Sequence, residues 1–173
     1  MAELIALHRG PASAATGIPV CRPMPRVASL HASERLLLVV IRHWVEDPAT
    51  VCPAVWAMKR AFDTGLCGPA IKALRGLMQA VGARPRPLRL LGSACPTLSP
   101  DERALLDLFA AHQHGREDHS VALMAWLVPD DDARDSANDH AAHLAYLLEK
   151  GGHRLRPPAA APVPPARREA VAG

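Results

Sequence analysis

The chain holds 173 residues with a net charge of +3; 49% are apolar and only 3% aromatic. That length suits a single domain around one core. Alanine and leucine carry most of the apolar content and β-branched residues are sparse, which favours an all-α fold.

Residues 1–28 mix Pro, Gly, Ser and Arg, as in PMPRVAS, and are expected to form a flexible segment. The helical domain is expected over 29–153 as a compact bundle of about six helices joined by short loops. The first helix spans about Leu30 to Val45: Leu30, Leu37, Ile41 and Trp44 recur at helical spacing, and the length of that pattern favours a helix over a buried strand for LLLVVI. A second is expected from Pro53, a proline suited to a first turn, to Gly65, and a third from Pro69 to Val81, closed by Gly82. The prolines of ARPRPLRLLGSACPTL then exclude regular helix and leave room for one short extended segment near 86–91.

The fourth helix opens with SPDE, where Ser99 is the N-cap, Pro100 lies in the first turn and Glu102 completes a capping box. Leu105, Leu108, Phe109 and His112 mark one face. The fifth, SVALMAWLV, is apolar nearly all round, with Asp118 as its cap, and is expected to sit surrounded by the others. The sixth starts at Pro129, sets Asp130, Asp131 and Asp132 against the positive end of its dipole, turns Ala137, Ala141, Leu144 and Leu148 inward, and ends at Lys150-Gly151-Gly152. Residues 154–173, rich in Pro and Ala, are expected to be a disordered tail. Trp44, Trp56 and Trp126 all fall at apolar helical positions and are expected in the core, with Trp56 the most exposed of the three.

The densest chemical stretch is AHQHGREDHS, residues 111–120. His112 and His114 are two apart and point to different sides of a helix, so they do not chelate together. Gly115 reads as a helix terminator, and Glu117 and Asp118 complement the next N-terminus, so the stretch is read as a joint between two helices. His140 and His143, three apart on one face, are a better-spaced pair of metal ligands, with Cys95 as a third candidate; the Glu-x-x-His repeats of di-iron bundles are missing from the sequence. Cys21, Cys52, Cys67 and Cys95 form no CxxC pair and read as reduced small hydrophobes. Cys95, close to a helix start, also has the setting of an activated thiol. The sequence has no Walker loop, GxGxxG, GxSxG or HExxH.

Charge is polarised along the chain. Residues 30–92 carry nine Lys/Arg against four Asp/Glu, and residues 93–150 carry four against eleven. Such asymmetry suggests different partners for the two halves, or mutual attraction between them. The basic half includes AMKRAFDTGLCGPAIKALRGL, which resembles a helix-turn-helix: Ala61 and turn Gly65 are four apart, and Leu66, Ile71 and Leu74 are placed to pack the second helix on the first. ARPRPLRLL after it resembles the wing of a winged-helix regulator. The resemblance covers about a quarter of the chain and implies DNA phosphate contacts from Lys72, Arg75, Arg84, Arg86 and Arg89. Cys67, Gly68 and Gly76 at groove-facing positions depart from it, because they read bases poorly.

Three functional readings follow. The leading one is a small non-enzymatic helical protein, regulatory or adaptor-like, that binds another protein through Asp130, Asp131, Asp132 and Asp135 and needs no cofactor. The second is a winged-helix or helix-turn-helix DNA-binding transcriptional regulator. The third is a metal-binding helical protein. No apolar run approaches the ~20 residues that span a bilayer, so no membrane contact is expected. The N-terminus lacks the pattern of a secretory signal, which leaves the cytoplasm as the expected compartment.

Overall fold

The structure, a computed structural model, describes residues 25–46, 64–83 and 87–158. In them the chain forms a 3-10 turn at Val27–Ser29 and five α-helices: α1 (Ala32–Glu46), α2 (Thr64–Gly82), α3 (Pro100–Gln113), α4 (Glu117–Leu127) and α5 (Asp131–Lys150). There is no strand among the described residues. The fold is all-α, as the composition favours. The helix expected from Pro53 to Gly65 lies outside the described residues except at its end.

That end differs from expectation. Gly65 does not stop a helix and Pro69 does not start one, because α2 runs unbroken from Thr64 through Gly65, Gly68 and Pro69. Neither glycine has a positive φ, so each acts as an ordinary helical residue. Pro69 removes only the one hydrogen bond that would have reached the Gly65 carbonyl. Cys67 and Ala70 are buried and fix the helical register from the first turns.

Where local capping chemistry is strong, the helix ends fall as expected. Ser99 Oγ accepts from the Glu102 N–H at 3.0 Å, and the Glu102 carboxylate accepts from the Ser99 N–H at 2.8 Å, a complete capping box on α3. Both α3 and α5 end in a Schellman turn. Gly115 (φ 62°) and Gly152 (φ 80°) take the left-handed conformation that a side chain opposes. The next N–H groups, of Arg116 and His153, return to the Ala111 and Leu148 carbonyls at 2.9 and 2.8 Å. α5 begins two residues later than expected: Asp130 is its N-cap and accepts from the Asp132 N–H at 3.0 Å. Asp118 does not cap α4; that helix starts at Glu117 with Arg116 as a cap that makes no side-chain bond.

α3, α4 and α5 contact one another, α2 packs along α5, and α1 packs on α3. The α2–α5 seam follows from spacing. Cys67, Ala70, Leu74, Leu77 and Val81 face Ala137, Ala141, Leu144 and Leu148, each set recurring every three or four residues and buried. Small residues bring the backbones close: a Cβ on Gly76 would overlap the His140 imidazole. Phe109, the largest fully buried side chain among the described residues, sits in α3 in the same core as Leu37, Leu38 and Ile41 of α1.

Two irregular segments complete the packing. Residues 87–99 form no strand; the expected extended piece is held instead by single backbone bonds, with the Arg89 N–H on Asp101 at 2.6 Å and the Leu91 N–H on Glu102 at 2.9 Å. Residues 25–27 pair with 96–98 through Val27 N–H to Pro96 O and Leu98 N–H to Pro25 O, both 2.8 Å. Residues 154–158, expected to belong to a disordered tail, are instead held on the bundle: Leu155 is buried and its N–H donates to Gln113 Oε1 at 2.8 Å. Residues 159–173 lie outside the described residues.

Candidate functional site

α4 corrects the expectation of a central helix. Its 100° step per residue puts Ser120, Met124 and Leu127 inside, whereas Asp118, Val121, Ala122, Ala125 and Trp126 share an exposed face. Val121 is 60% and Trp126 42% exposed, so Trp126 is not a core residue. Trp44 is half-buried against the core, under the Arg75 guanidinium at 5.8 Å; Trp56 lies outside the described residues. Apolar composition did not reveal the exposed face, because residues 121–127 of the helix are all Val, Ala, Leu, Met or Trp and read as apolar all round.

Acids bracket that face. At its start Glu117 and Asp118 are exposed and line, with Gly115, Arg116, His119 and Ala122, an open cleft of about 390 Å³. Beyond its end, Asp130, Asp131, Asp132 and Asp135 are exposed. Arg134 is committed locally: it donates to the Val128 and Pro129 carbonyls at 3.1 and 3.0 Å and pairs with Asp131 at 2.6 Å. Asp132 and Asp135 have no ion pair among the described residues. The result is an apolar strip from Val121 to Trp126, about one and a half turns long, between two negative ends.

The residues proposed for DNA scatter. Lys72 and Arg75 lie on the exposed strip of α2, Arg75 stacked on Trp44. Arg89 is exposed, but its backbone is tied at both ends: the N–H to Asp101, the carbonyl to Ser99 Oγ. Arg84 and Arg86 lie outside the described residues. The ligands proposed for a metal do not converge either. His140 and His143 share the α2–α5 groove, Cys95 belongs to the 87–99 segment, and no group of three or more His, Cys, Asp or Glu among the described residues is placed to hold a metal ion.

In AHQHGREDHS, His114 is the C-cap of α3 and its Nε2 lies 3.0 Å from the Leu155 carbonyl. His112 is half-buried; burial pushes its imidazole below the ordinary 6.5, partly opposed by the neighbouring Asn138 side chain. His112 Nε2 and Asn138 Oδ1 are buried without partners among the described residues.

Sequence reading missed the densest polar network. Arg42 and Glu102 are only 2% and 0% exposed, and Arg42 grips both carboxylate oxygens, Nε to Oε1 at 2.8 Å and a terminal nitrogen to Oε2 at 3.0 Å. Its terminal nitrogens also donate to the Cys95 and Thr97 carbonyls at 2.7 Å. The only hint was Glu102 in the capping box; a partner sixty residues away left no local signal. Four Arg42 N–H groups and both Glu102 oxygens bind protein groups, which makes this a lock for the 87–99 segment. Beside it, the half-buried Cys95 thiol lies 3.4 Å from Thr97 Oγ1. That hydrogen bond, a backbone bond at Thr97 and the Arg42 charge hold the thiol below its ordinary range. Cys67 is buried in the α2 seam.

No family model, curated protein or solved structure matches the chain at a significant level. No helix among the described residues is long and apolar enough to cross a membrane.

Proposed function

We propose that this chain is a non-enzymatic helical protein, regulatory or adaptor-like, that binds a basic segment of another protein along the exposed face of α4. The observation that carries the reading is the pair Val121 and Trp126, 60% and 42% exposed, between acids at both ends of their helix. A partly exposed tryptophan flanked by small apolar residues is the composition of an interface centre rather than of a solvated helix face. The acids select the partner: an amphipathic segment with apolar residues in its middle and Lys or Arg at its ends is the complement in both shape and sign.

Selection from a random peptide library tests this reading. The expected outcome is enrichment of segments with that pattern, captured by the full chain and lost in Trp126→Ala and in Asp132→Asn with Asp135→Asn. Enrichment of acidic peptides, or capture that survives both changes, overturns it. Lys72 and Arg75 on the exposed strip of α2 support the DNA reading instead; it requires duplex affinity that falls steeply with salt and weakens when these two residues are reversed in charge.

A further inference from the structure

The α2–α5 groove is a second concave feature, apart from the α4 face. It is half-open, holds about 490 Å³, and is lined by Gly68, Pro69, Lys72 and Ala73 of α2 and by His140 and His143 of α5. That volume falls in the range of small-molecule sites, about 300–1,000 Å³. Gly68 leaves one wall open, since a Cβ there meets nothing within 4 Å. The His140 ring is wedged against Gly76, where any side chain would overlap it, so the seam itself sets the ring's position. His143 follows three residues later on the same side of α5, with Lys72 across the groove. None of the three polar groups has a hydrogen bond or ion pair among the described residues. A half-buried imidazole left unpaired in a seam otherwise built of Ala, Leu and Val costs stability that an alanine would not.

We propose that this groove binds a small phosphomonoester. Lysine offers donors only and each imidazole offers at least one N–H, so the site calls for an anion rich in acceptors. A phosphomonoester brings three such oxygens and nearly two negative charges, whereas a carboxylate brings two oxygens and one charge. Pro69 and Ala73 supply an apolar wall for the organic part. A metal ion finds only two ligands here, since protonated lysine does not coordinate. A duplex backbone wants a row of cations, and this groove is lined by one lysine, Lys72, and no arginine.

The test is titration of the full chain with phenyl phosphate, inorganic phosphate and acetate, followed by calorimetry and amide chemical shifts. Saturable binding of phenyl phosphate is expected, tighter than acetate, with shifts confined to residues 66–76 and 137–146. Lys72→Met and His143→Ala should each weaken it about tenfold, the loss of one charge-assisted hydrogen bond. Gly68→Leu, which fills the groove at an exposed helical position, should abolish it while the fold, followed by circular dichroism, is kept. Absence of saturable binding, equal affinity for acetate, or affinity unchanged in Gly68→Leu overturns the proposal.

Discussion

Two arginine–glutamate pairs join distant parts of this chain, and they differ in one respect. Arg42–Glu102 is closed to water on both sides, whereas Arg156–Glu34 buries the carboxylate and leaves the arginine 52% exposed. Each carboxylate also takes a backbone N–H: Glu102 those of Leu91 and Ser99, Glu34 that of His31. The first pair organises a segment that has no regular structure of its own. The second fastens the start of α1 to the end of the described chain, with Arg156 also donating to the Ser29 carbonyl at 3.1 Å. In the first, loss of one partner strands a charge in the core; in the second, water replaces the lost arginine.

The largest expected effect is therefore at the buried pair. Arg42→Ala or Glu102→Ala should destabilise the protein by about 3–5 kcal/mol in denaturant unfolding. The double change Arg42→Met with Glu102→Leu should recover much of that, since a packed apolar pair leaves no stranded charge; a double variant as unstable as the singles would show that the backbone bonds, not the charges, hold the 87–99 segment. Next, Ser99→Ala removes the reciprocal cap beside this pair and should cost about 1 kcal/mol by thermal unfolding.

Acid should separate the two regions of pH sensitivity. His112 titrates below 6.5 in the folded chain because of burial, so the unfolded chain takes up its proton first. The stabilisation is complete above pH 6.5 and is lost as pH falls through 6.5 toward the folded value. His112→Gln should flatten that part of a stability–pH curve. At Glu34, burial raises the carboxyl, but the Arg156 hydrogen bond, the His31 N–H and the charges of Arg156 and Arg103 together hold it below 4.5. Its contribution is present above pH 4.5 and disappears only as pH drops further. Arg156→Ala should remove this lower step and leave the upper one. At neutral pH the same variant is the smallest change, below about 1 kcal/mol, and it should shrink further in high salt.

The helix ends were legible because their causes lie within one turn. Ser99, Pro100 and Glu102 cap α3 by themselves, and Gly115 and Gly152 terminate helices through their own φ angles. The inward face of α5 was legible for a similar reason, since burial recurs with the helical period; on α2 Leu66 and Ile71 were expected to pack inward and are only partly buried, whereas Cys67, expected to face outward, is buried. Gly65, in the first turn of α2, and Pro69, in its second, misled because Cys67 and Ala70 are held in the core; tertiary packing there outweighs propensities of about 1 kcal/mol for glycine and about 3 kcal/mol for proline. The acids at 130–135 were visible as a run, but their relation to Trp126 was not.

Secondary structure in this chain was thus settled mostly by short-range chemistry: caps, glycines and apolar spacing act over a few residues and need no partner from elsewhere. The side of α4 that faces water, the union of Arg42 with Glu102 and the meeting of Lys72 with His140 and His143 were settled only when the helices packed. Each joins residues far apart in sequence, and the periodicity of a single helix holds no information about which neighbour will cover it.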